Sequence, residues 1–117
     1  MWNTPTTEQL RRIPKLYETE NIPPNDKIIY LHFFVGACDW YIAEYDGKDT
    51  FWGYANLGDS ELAEWGNISF SELQELKTYA NMIDERGGKE LKITVEVDFD
   101  LHWTPKRFRD IQVDRRL

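Results

Sequence analysis

From Glu90 to Phe99 the chain alternates apolar and polar residues without a break. Leu91, Ile93, Val95, Val97 and Phe99 point one way; Lys92, Thr94, Glu96 and Asp98 point the other. A period of two is that of a strand with one buried and one wet face. Ile28–Val35, IIYLHFFV, is instead a near-continuous run of β-branched and aromatic residues. It predicts a central strand covered on both faces. Gly36-Ala37-Cys38 turns this strand into a hairpin with arms at 39–44 and 48–56. A weaker strand at 61–68 is anchored by Trp65.

The hairpin register follows from its charges. A two-residue Asp46-Gly47 turn would set Glu44 opposite Asp49, a like-charge pair. A three-residue loop Tyr45-Asp46-Gly47, with Gly47 left-handed, sets Glu44 opposite Lys48. Opposite charges across a ladder help by roughly 0.2–1 kcal/mol and like charges hurt. The three-residue loop is therefore expected, with Trp40 facing Trp52 and Tyr41 facing Phe51.

Helical periodicity is weaker. Thr6 or Thr7 caps a short helix carrying Glu8 in its first turn and Leu10 and Ile13 on one face, broken near Pro14. Ser69 with Glu72, and Ser71 with Gln74, form overlapping capping boxes. They open a helix that docks by Phe70, Leu73 and Leu76. It is expected to run to about residue 80, or to stop early in a loop, ahead of Gly87-Gly88. Thr104-Pro105 starts a short basic helix at the C-terminal end. The fold class is α+β: an antiparallel sheet of four to five strands, one main helix packed on a face, and short terminal helices covering edges. The 117 residues make one domain, with a basic tail at 106–117.

Composition adds a strong aromatic bias, 15% of residues including five Trp, so the core is expected to be aromatic. Charge changes the picture more. The net charge is −7; without residues 106–117, nine basic groups face nineteen acidic ones, a net of −10. Free nucleic acid is a poor partner for such a body, because binding phosphates needs a basic face. An acidic face suits a basic groove on another macromolecule. The single cysteine, Cys38, forms no internal disulfide and fits a reducing, cytoplasmic setting. Trp2-Asn3-Thr4-Pro5 lacks the basic and apolar regions of a signal peptide. No apolar run approaches the ~20 residues that span a bilayer, so no membrane partner is expected.

Candidate chemistry is sparse. The hairpin end carries Glu44, Asp46 and Asp49, followed by Asp59, Glu61 and Glu64; between Cys38 and Glu64 seven acids stand with one base, Lys48. These six acids are the candidate partner-binding residues. His32, inside the apolar run, reads as a core histidine bonded to a neighbour. Asp98-x-Asp100-x-His102 would share one face of an extended strand and offers a ligand set for a transition metal; the alternative is the wet face of a strand entering a turn. Nothing resembles a Walker loop, GxSxG, GxGxxG, HExxH or CxxC. Neither a catalytic residue nor a cofactor is expected.

Three segments together resemble the domain-of-unknown-function 2958 family. They are Trp40-Tyr41-x-x-Glu44-x-Asp46-Gly47-x-Asp49-x-Phe51-x-Gly53, then Glu64-Trp65-Gly66-Asn67-Ile68-Ser69-x-Ser71-Glu72-Leu73, then Asp98-x-Asp100-Leu101-His102-Trp103. The chain departs from the family at Trp65-Gly66-Asn67, where Leu-Gly-Tyr is usual, and by extra length from Thr78 to Glu90. Family members are small proteins of plasmids, conjugative elements and phages, often encoded beside antirestriction genes, without established catalytic residues. The resemblance implies a counter-defence role in the cytoplasm of a bacterial host. That is, a non-enzymatic inhibitor of a restriction or CRISPR nuclease, or of another defence protein. The alternatives are a metal-binding enzyme or regulator using the Asp/Asp/His set, and an adaptor of plasmid replication or conjugation.

Overall fold

The structure, a computed structural model, describes the backbone of residues 4–83 and 90–114, and side chains over 4–76 and 96–111. In chain order the elements are α1 (Thr7–Arg11), a 3-10 turn (Pro24–Asp26), β1 (Ile28–Ile29), β2 (Leu31–Val35), β3 (Cys38–Tyr45), β4 (Thr50–Leu57), β5 (Glu64–Ser69), α2 (Phe70–Glu75), β6 (Lys77–Ile83), β7 (Glu90–Glu96), β8 (Asp98–Phe99), β9 (Lys106–Arg107) and α3 (Phe108–Asp114). The main sheet is antiparallel with five strands in the order β5-β4-β3-β2-β8; β1 pairs with β9, and β6 with β7, in two-stranded sheets. The fold is thus α+β with a five-stranded antiparallel sheet and short helices, as the patterning predicts.

Side-chain alternation gives the sheet two unequal faces. The first carries the larger core: Leu31, Phe33, Val35, Trp40, Ile42 and Phe51 meet Leu73, Val97 and Phe99, with Phe70 of α2 and Ile13 beyond α1 closing it. Its rings touch at offset angles, Phe33–Phe51 at 5.9 Å and Phe51–Phe70 at 5.1 Å between centroids. The second face carries a smaller cluster in which Phe108 and Ile111 of α3 cover Ile29, Tyr41 and Ala43. Phe108 meets Tyr54 at 4.7 Å and Trp65 at 5.0 Å. The aromatic core expected from composition is therefore split over both faces.

The described part of the segment that reads as a basic tail, residues 106–114, is part of the fold. Ile28 pairs with Arg107 and Ile29 with Lys106. The Phe108 N–H donates to Lys27 O at 2.9 Å, and Arg109 is ion-paired with Asp26. Lys106 Nζ sits 4.5 Å over the Trp103 ring, whose Nε1 donates to Ile29 O. Two buried apolar side chains, Phe108 and Ile111, outweigh the local charge.

Three other expectations are corrected. The helix from Phe70 stops at Glu75: Leu76 is extended (φ −66°, ψ 123°), and Lys77–Ile83 is a strand. The segment is rich in strand formers, Thr78, Tyr79 and Ile83, and a matching partner, ELKITVE, follows in sequence. Pairing overrides the weak helical period. The single alternating run 90–99 serves two sheets, since β7 pairs with β6 and β8 with Phe33 and Phe34 of β2. Val97 and Phe99 are buried as expected; Leu91, Ile93 and Val95 lie outside the described side chains, and Gly87-Gly88 outside the described residues.

The hairpin register also differs. Trp40 faces Ala55, Tyr41 faces Tyr54 and Ile42 faces Gly53; then Glu44 faces Trp52, leaving Ala43 as a bulge. Lys48 lies in a four-residue loop, Asp46–Asp49, and has no ladder partner there. Asp46 decides this: its N–H donates to Thr50 O, and its Oδ1 accepts from the N–H groups of Lys48, Asp49 and Thr50 at 2.7, 2.9 and 3.0 Å. Three such bonds to an ionised acceptor outweigh one exposed cross-strand pair. The bulge needs Gly53, where a Cβ would fall 2.1 Å from Tyr41 O.

Candidate functional site

The bulge changes where Glu44 points. In a regular strand, Tyr41 on the second face would put Glu44 with Ile42 in the larger core. With Ala43 inserted, Ala43 and Glu44 both serve the second face, and Glu44 lines a cavity with Trp52 and Asn67. The other wall is the segment after α1. Glu44 is 4% exposed. Its Oε1 accepts from the Tyr17 N–H at 2.9 Å and its Oε2 from the Thr19 N–H at 3.1 Å and from the Thr19 hydroxyl. Thr19 in turn accepts from buried Lys27, whose Nζ donates to the backbone oxygen and, at 3.0 Å, to Oγ1. Tyr17 is left-handed (φ 71°), which turns its N–H to Glu44 while its ring is 75% exposed.

Glu44 is thus corrected from a surface contact to an internal acceptor that holds residues 17–19 on the sheet. Tertiary contact over 25 residues made this site, and no local signal marks it. A charged residue between an apolar strand and a turn looks the same exposed or buried.

Asp46 and Asp49 are structural too. Asp46 is exposed, but its Oδ1 organises the loop; these backbone bonds hold its carboxyl below the ordinary value of 3.8. Asp49 Oδ1 accepts from Ser71 N–H at 2.8 Å, and Oδ2 from the hydroxyls of Ser71 and Ser69, both at 2.9 Å. The bonds from Ser71 and Ser69 hold its carboxyl low as well. Tyr45, beside them, is shifted up by burial and then by the charges of Asp46 and Asp49. Ser69 caps α2 by accepting from Glu72 N–H, the N-cap half of the expected box, while Ser71 turns back to Asp49.

Asp59, Glu61 and Glu64 are all exposed. Asp59 Oδ1 accepts from Glu61 N–H at 3.0 Å, shaping the loop between β4 and β5. Leu57 and Leu62 in the same stretch are 67% and 78% exposed. The eight residues of β4 separate this loop from the Asp46–Asp49 tip by roughly 24 Å. The six acids therefore do not form one patch. Four are exposed, Asp46 at the hairpin tip and Asp59, Glu61 and Glu64 in this loop, where they are interleaved with exposed aliphatic side chains.

His32 is a bonded histidine, as expected, with one partner seven residues on across the β2–β3 hairpin and one far along the chain. Its Nε2 lies 2.7 Å from Asp39 Oδ1 and its Nδ1 3.2 Å from Asp100 Oδ2, while the ring stacks on Tyr41 at 4.8 Å. This clamp ties the end of β8 to β2 and β3. Asp98, Asp100 and His102 are not gathered into one set. The strand ends at Phe99, Asp100 turns to His32 and to the His102 N–H, and His102 is exposed. Among the described residues no three His, Cys, Asp or Glu side chains gather as a metal site. Among them, too, no helix is long and apolar enough to cross a membrane.

No family model matches the chain, and no curated protein or solved structure is significantly similar to it.

Proposed function

We propose that this protein is a non-enzymatic binding module that docks on a basic surface of another protein through the loop from Leu57 to Glu64. The observation that carries this reading is the exposure of Leu57 and Leu62 among Asp59, Glu61 and Glu64. Acids steer a basic partner into register, and desolvated aliphatic side chains supply the binding that exposed charges do not. The acidic excess of the body acts in the same direction at longer range.

The partner class comes from the motif resemblance. It points to a bacterial defence nuclease, of restriction or CRISPR type, whose nucleic-acid groove is the basic surface. The protein is then a counter-defence factor of a mobile element, acting in the host cytoplasm. To test it, purified protein is mixed with restriction and CRISPR nucleases, and cleavage and co-elution are measured at low salt. Inhibition with a stable complex is expected. The variant Asp59→Lys/Glu61→Lys/Glu64→Lys should slow association by about tenfold or more. Absence of any complex at low salt rejects the reading.

A further inference from the structure

On the second face, between the sheet and the segment after α1, lies a cavity of about 250 Å³. It is smaller than sites for drug-sized ligands, which run about 300–1,000 Å³, and suits a single side chain. Trp52 from β4 and exposed Tyr17 give it aromatic walls. Glu44 and Lys27, 4% and 6% exposed, are charged groups in its lining.

The bonds among these groups are unevenly used. Lys27 spends two of its three N–H groups on Thr19. Glu44 Oε1 takes one donor, Tyr17 N–H, and a carboxylate oxygen has room for a second. Glu20 and Asn67, both exposed, complete the lining and add further acceptors. Two carboxylates against one ammonium leave a net charge of −1. The latch through Thr19 explains the buried charges, but not the open space beside them or the aromatic walls. The complement of this lining is flat, rich in donors and singly positive. A guanidinium has that shape: it stacks on aromatic faces and donates in a fixed fork, whereas an ammonium is compact and strongly hydrated.

We propose that the cavity receives an arginine side chain of the partner, stacked on Trp52 and donating to Glu44 and Glu20. This rests on the reading of the protein as a module for a basic partner, and it supplies the anchor that reading lacks. Asn67 stands three residues from Glu64 along β5, about 10 Å, so the anchor and the acidic loop fit within one interface.

The test uses small probes and needs no partner. N-acetyl-arginine amide, the lysine and citrulline equivalents, and sodium acetate are titrated into the intact protein and followed by amide and indole NMR. The arginine probe should bind saturably in the millimolar range, shifting the Tyr17 and Thr19 amides and the Trp52 indole. It should bind about tenfold tighter than uncharged citrulline. Glu44→Gln also loosens the fold, so Glu20→Gln, at an exposed side chain, carries the mutational arm; it should weaken the arginine probe about threefold or more. Trp52→Leu should abolish binding while leaving the dispersed spectrum of the folded chain. Equal binding of citrulline, preference for acetate, or no saturation at tens of millimolar overturns the proposal. The Asp59/Glu61/Glu64 reversal should leave probe binding unchanged. In the unmodified protein, absence of nuclease inhibition with saturable arginine binding therefore rejects the partner, and inhibition without arginine binding rejects the pocket.

Discussion

Glu44 shows how much one buried carboxylate can organise. It satisfies two backbone N–H groups and one hydroxyl in a segment that lacks a regular element of its own from Arg12 to Pro23. Removing it leaves those donors without their acceptor and Lys27, bonded to Thr19, without the nearby carboxylate. Each unsatisfied buried group costs about 1–3 kcal/mol. Glu44→Ala should therefore destabilise the protein by about 2–4 kcal/mol, as read by chemical denaturation. Proteolysis should then cut first between Pro14 and Pro23. A surface role for Glu44 would instead leave stability within about 0.5 kcal/mol of the parent. Nothing local in the sequence distinguishes these outcomes, because the bulge at Ala43 turns on a backbone fit at Gly53 and on residues 25 or more positions away.

Individual elements are held by similar long-range clasps. The short helix α2 has six residues, too few to persist alone. Asp49 secures its start through Ser69 and Ser71, and Phe70 and Leu73 bury its apolar side. The carboxyls of Asp49 and Asp46 titrate below 3.8 in the folded protein. Their contribution is therefore fully present above the unfolded value and is lost as pH falls through the lower folded value. Thermal melts from neutral pH down to about pH 2 should show Asp49→Asn lowering the midpoint at neutral pH and removing part of the acid dependence. A variant with an unchanged acid limb would refute this account. At the other end of the chain, α3 is fixed by Phe108 among Tyr41, Tyr54 and Trp65. Phe108→Ala should cost about 3–5 kcal/mol; a neutral result would mean that the C-terminal segment is a dispensable tail after all. Two helix starts were legible, since Thr6 and Ser69 cap where their spacing predicts; the third was not, because Lys106–Arg107 pairs with β1 and α3 begins at Phe108, three residues after the expected Thr104-Pro105 start. The end of α2 was not legible either, because its limit is set by the pairing of β6 with β7.

At the scale of the molecule, function is a question of what the fold leaves outside. Glu44 is buried beside the cavity and Asp49 is half-buried against Ser69 and Ser71, so of the six candidate acids Asp46, Asp59, Glu61 and Glu64 stay exposed, the last three together in one loop. Association with a basic partner should then weaken as salt rises, since exposed charges are screened over about 8–10 Å at 0.1–0.15 M. An arginine held in the cavity would be screened less. Raising salt should thus slow association more than it speeds dissociation, a split that stopped-flow measurement of the complex resolves.

The sequence by itself determined the fold class, the places of the main strands, the caps of the first two helices and the acidic excess. Each depends on neighbours within a few residues or on simple addition of charge. Tertiary structure alone decided the hairpin bulge, the two faces and their separate aromatic clusters, and the anchoring of the C-terminal segment. It also brought Asp39 and Asp100 to His32 and set the fate of each acid. A carboxylate has the same local pattern whether it meets water, a loop of N–H groups or a buried cavity. What separates those cases is the partner that folding brings to it from a distance.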